Sequence, residues 1–117
     1  MPVKQKSLND AAAVAKDAFE LKCEGQKSLP DFKQQKRAAE ALIFGNDGIA
    51  AQLQSSTVIS VIFKALQSAV AEYQPYPETV KMLVNYYINI FRLSLKEQEP
   101  AFAVELEKRQ KRHHQAR

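Results

Sequence analysis

Between residues 78 and 97, apolar side chains recur over most of the circumference of one helical period. Val80, Leu83, Val84, Tyr87, Ile90, Phe91 and Leu95 form one face at three- and four-residue steps. Met82, Tyr86 and Leu93 spread apolar surface round another. Such a helix must be covered on more than one side, so it is either central to a bundle or part of a subunit interface. It is no membrane span: Lys81, Asn85, Asn89 and Arg92 interrupt residues 80–95, which are too few to cross a bilayer.

The remaining sequence surrounds this helix with others. Three glycines and five prolines in 117 residues are too few turn-formers for an all-β chain, while Ala, Leu, Lys, Gln and Glu favour helix. In the first helix Ser7 or Asn9 is placed to cap the start, with Asp10 in capping-box position. Leu8, Ala11, Ala12, Ala15, Ala18, Phe19 and Cys23 make its stripe, and Gly25 is placed to close it in the left-handed conformation. A second helix is expected to open at Ser28, with Pro30 in its first turn, and to bury a narrow stripe of Phe32, Ala39, Leu42 and Ile43. Gly45-Asn46-Asp47-Gly48 ends it.

Residues 49–73 read as helix again, in two pieces jointed at Ser55-Ser56. Ile59, Ile62, Phe63, Leu66, Ala69, Val70 and Tyr73 share a face. The rival is a strand over residues 57–63, where β propensity is high. It loses because the helical period continues to Tyr73 and no second β-rich run exists to pair with it. Pro75-Tyr76-Pro77 breaks the chain, and Pro100 starts a last helix with Phe102, Ala103 and Leu106 as its stripe. The expected fold is all-α: a compact bundle of four to five helices forming one domain over residues 1–107. A basic C-terminal extension follows over 108–117, with no apolar face to bury, and is expected to fray.

Chemistry has little to work with. There is no glycine-rich phosphate loop, nucleophile elbow, HExxH or Cys/His metal spacing. Cys23, the only cysteine, sits on an apolar stripe and reads as a buried thiol. His113 and His114 are adjacent, point to different sides of a helix and make a poor chelate. The acid pairs Glu97 with Glu99 and Glu105 with Glu107 have no His or Cys beside them. No enzyme, cofactor, metal or small-molecule substrate is expected. The N-terminus lacks the apolar block of a signal peptide, and a reducing, cytoplasmic setting fits the single cysteine.

The net charge of +4 is unevenly spread. Residues 38–107 hold four Lys/Arg against eight Asp/Glu, whereas the last ten hold Lys108, Arg109, Lys111, Arg112 and Arg117 with no acid. That cationic end can bind phosphates through counterion release, and Lys33, Lys36 and Arg37 would extend the patch if the fold brings them near. A helix-turn-helix over residues 49–63 fails, since Val61, Ile62 and Phe63 stand where base-reading polar groups are needed.

Two functions follow from these features. The leading one is a non-enzymatic accessory or regulatory protein acting through protein–protein contact, with a partner protein or as a homodimer. Met82, Tyr86, Asn89 and Leu93 are its candidate interface. Asn85, Asn89, Arg92 and Lys96 form either a solvent edge or a strip that fixes register in a dimer. The alternative is a nucleic-acid-associated protein that holds the DNA or RNA backbone through its basic end.

Overall fold

The computed structural model describes the backbone of residues 2–115 and the side chains of residues 2–108. In chain order these form α1 (Gln5–Gln26), α2 (Phe32–Phe44), α3 (Ile49–Ser55), α4 (Ile59–Glu72), α5 (Glu78–Gln98) and α6 (Pro100–Gln115). The apolar helix α5 is the central one: α1, α2 and α6 all pack against it. The chain is thus the all-α bundle its periodicity predicts, and the apolar excess of α5 is largely covered from within.

The buried arc of α5 comprises Val80, Leu83, Val84, Tyr87, Ile88, Phe91, Ser94 and Leu95. Ile88 belongs to it although it lies off the predicted face, while Ile90 is only half-buried. Neighbours on several sides widen the arc beyond a single stripe. Phe102 of α6 is fully buried and stacks on Phe63 of α4 with ring centroids 5.1 Å apart, which closes the far side of the core. The extension expected to fray from residue 108 instead continues α6, whose backbone is helical to Gln115. The side chains of residues 109–117 lie outside the described residues.

The start of α1 differs from the predicted cap. The helix begins at Gln5, ahead of both Ser7 and Asn9, and Lys4 at its N-cap makes no side-chain cap bond. The cause is tertiary. Val3 is buried and its N–H donates to the Thr57 carbonyl at 2.6 Å, while Pro2 forms an isolated bridge with Val58. Glu99, between α5 and α6, takes over the capping. Its Oε1 accepts from the Ser7 hydroxyl at 2.8 Å and from the Lys4 N–H at 3.4 Å. A carboxylate there also meets the positive end of the α1 dipole.

The turn after α1 is also built differently from the prediction. Gly25 stays inside the helix, and no described glycine has positive φ. The left-handed residue is Asp31, at φ 58°, so Ser28 to Pro30 form a turn and α2 starts at Phe32. At the other end of α2, the Gly45 N–H donates to the Ala41 carbonyl at 3.0 Å. Gly48 is held so tightly that an added Cβ would lie 2.5 Å from the Ile43 carbonyl oxygen.

The joint at Ser55-Ser56 separates α3 from α4 as expected. The β-prone run is divided there. Thr57 and Val58 pair in extended form with the first residues, and Ile59 onwards is helix.

Candidate functional site

Helices α1 and α2 both rest on α5 but are not themselves a principal packing pair. The space between them is a groove of about 1070 Å³. Buried Phe19, Cys23 and Phe32 form its floor, and Phe44, 37% exposed, stands at one end. Phe44 is the last residue of α2, just ahead of the reversal at Gly45 to Gly48. It meets Phe19 edge-on at 5.6 Å and Tyr87 edge-on at 5.5 Å. Lys16 Nζ lies 5.7 Å from the Phe44 centroid, a cation–π approach over an open face.

Both walls carry charges of both signs, with Lys16 and Lys27 beside the acids of α1. Asp17, Glu20 and Glu24 recur at three- and four-residue steps along α1, so they share one edge of that helix. Leu21 stands on the same edge and is 74% exposed, the most exposed large apolar side chain described. On α2, Lys33 and Lys36 line the opposite wall, with Glu40 one turn further on. Glu24 pairs with Lys27, the residue just after α1, at 3.0 Å, both well exposed, so that pair contributes little. Among the described residues no ion pair crosses the groove.

Burial pushes the Cys23 thiol above its ordinary value of 9.0; Lys36 pulls the other way, and Glu40, Glu20 and Glu24 push further up. The thiol is therefore protonated at neutral pH and sits as part of the apolar floor. Among the described residues, no group of three or more His, Cys, Asp and Glu could hold a metal ion.

The predicted interface on α5 is split. Met82 and Tyr86 are half-buried; Met82 packs on the core, and Lys22 Nζ stands 5.2 Å from the Tyr86 ring centroid. Asn89 and Leu93 remain exposed, Leu93 at 48%. The basic residues divide in the same way. Lys33 and Lys36 line the groove, and Arg37 is exposed outside its lining. Lys108 is exposed on α6, while the side chains of Arg109, Lys111, Arg112 and Arg117 lie outside the described residues. The principal contacts of α2 are with α3 and α5 and those of α6 are with α5, so the described part of α6 does not join the lysines of α2.

Sequence reasoning missed the groove itself. Its one trace was Leu21, an apolar residue off the stripe of α1.

No family model, curated protein or solved structure matches the chain. Among the described residues, no helix is long and apolar enough to cross a membrane.

Proposed function

We propose that the chain is a non-enzymatic, cytoplasmic accessory or regulatory protein that works by docking a protein in the α1–α2 groove. The observation that carries this reading is the make-up of the groove. It has an aromatic floor, the open side chains of Leu21 and Phe44, and charged walls without partners across it. An apolar centre with a polar rim is the usual anatomy of a protein interface. The test compares immobilised wild-type protein with a Leu21→Asp variant. A partner retained by the wild type, released by the variant and rebinding as a purified protein supports the reading. A wild type that is monomeric at high concentration and retains nothing overturns it.

The cationic end favours a second reading, backbone binding to DNA or RNA. Five cations and no acid in ten residues supply phosphate contacts whose affinity falls steeply with salt. Truncation after Glu107 should abolish a gel shift seen at low salt. If the intact protein shifts neither DNA nor RNA at low salt, this second reading falls.

A further inference from the structure

We propose that residues 57–63 are a latent strand, restrained in the fold by the first residues of the chain. On release, the run pairs in register with the same run of other copies. This is independent of what the groove docks.

Thr57, Val58, Ile59, Val61, Ile62 and Phe63 are all β-branched or aromatic, and Ser60 completes the run without a charge, glycine or proline. Such side chains fit a pleated surface and lose rotamer freedom in a helix. As a strand, the run puts Thr57, Ile59, Val61 and Phe63 on one face and Val58, Ser60 and Ile62 on the other. Both faces are apolar enough to interdigitate with a second sheet, as a dry steric zipper requires.

The fold holds this run partly extended already. Ser56 and Val58 have extended backbones, at φ −122° and −87°. The Val3 N–H donates to the Thr57 carbonyl, and Pro2 bridges Val58. Pro2 has no N–H to give, so this strap covers the edge without lengthening the ladder. From Ile59 onwards the run is helical, held by the burial of Ile59, Ile62 and Phe63. Its own end adds little, because Val58 at the N-cap makes no side-chain cap bond. Freeing the strap and unwinding the first turn of α4 is therefore a local opening, short of unfolding the bundle.

Charge identifies the partner as the same segment. In-register stacking sets each residue against its own copy, so a charged segment repels itself. This run carries no charge, and Lys64 stands just beyond it. Residues 82–91 are also uncharged, but Asn85 and Asn89 are poor strand formers. That run also lies wholly within the central helix α5, so it is released only when the bundle unfolds.

The experiment agitates the full chain below its melting midpoint, beside V61K and V70K. Val61 and Val70 are both about half exposed on α4, so either lysine is tolerated by the fold, and circular dichroism confirms equal melting. The wild type gains thioflavin fluorescence and a fibre reflection at ~4.7–4.8 Å. Hydrogen exchange of the fibrils shows a protected core that includes residues 57–63. V61K loses the fluorescence, because a lysine then stacks on itself along the fibril, whereas V70K keeps it. Deleting Pro2 and Val3 shortens the lag, and adding V61K to that deletion restores it.

A wild type that forms no fibrils overturns the proposal, as does V61K assembling as fast as the wild type. V70K suppressing assembly equally would reduce the effect to added charge and overturn it too. Protection centred on residues 82–91, or a lag unchanged by removing the strap, has the same consequence.

Discussion

Phe44 contributes to the core and to the surface at once. Its edges meet Phe19 and Tyr87, while its face opens on the groove beneath Lys16. Phe44→Ala should lower stability by about 2 kcal/mol, less than a fully buried ring because part of it is already wet. Urea denaturation measures the loss, and Phe44→Leu should recover most of it. Two tyrosines set a pH limit. Burial pushes Tyr87 from 10.0 to about 12, and burial, with Glu72 and Tyr76 adding, does the same for Tyr73. The unfolded chain loses these protons near pH 10 and the folded one near pH 12. Stability from the two phenols is therefore whole below the lower value and is lost as pH rises through the upper one. Urea midpoints should fall across that interval, and the phenolate absorbance of the folded protein should rise later than that of the unfolded chain.

Between elements, the junction of α5 and α6 does two jobs. Glu99 caps α1 from a distance, and three residues on Phe102 anchors α6. Ser7→Ala should cost about 1 kcal/mol through the lost hydrogen bond to Glu99. Phe102→Ala should cost about 4 kcal/mol and loosen α6 against α4, which hydrogen exchange along α6 would register. Truncation after Glu107 should leave the melting temperature almost unchanged, since Phe102 and Leu106 both precede the cut.

These elements also mark what sequence could and could not reveal. α5 was legible because its apolar arc is too wide for a peripheral helix, and the joint at Ser55-Ser56 because two small polar residues interrupt the stripe. The start of α1 was not, because its capping group comes from Glu99, 92 residues along the chain from Ser7. Asp31 took the left-handed position assigned to Gly25 because the reversal between helices falls there. The predicted basic patch and the α5 interface rested on residues whose neighbours only the fold decides. The groove was invisible for the same reason: it exists because α1 and α2 each pack on α5 more than on one another.

At the scale of the whole molecule, stability rests on the apolar core, and the ion pairs Glu24–Lys27 and Glu78–Lys81 are at least partly exposed. The Debye length is ~8 Å at physiological ionic strength, so these pairs are partly screened there and more so above it. The melting temperature, set by that core, should therefore change little as salt rises, which thermal melts over a salt series would check. The chain order of that core carries a further consequence. α1 packs on α5, and about 70 residues separate the end of the one from the end of the other. At translation rates of ~5–20 residues per second, α1 leaves the ribosome roughly 4–14 s before α5 is complete. Throughout that interval Leu8, Phe19 and Cys23 have no permanent cover. Folding must be a late and nearly global event, so a chain stopped at Pro77 should show no cooperative melting. The nascent first helix is the segment a chaperone would have to shield.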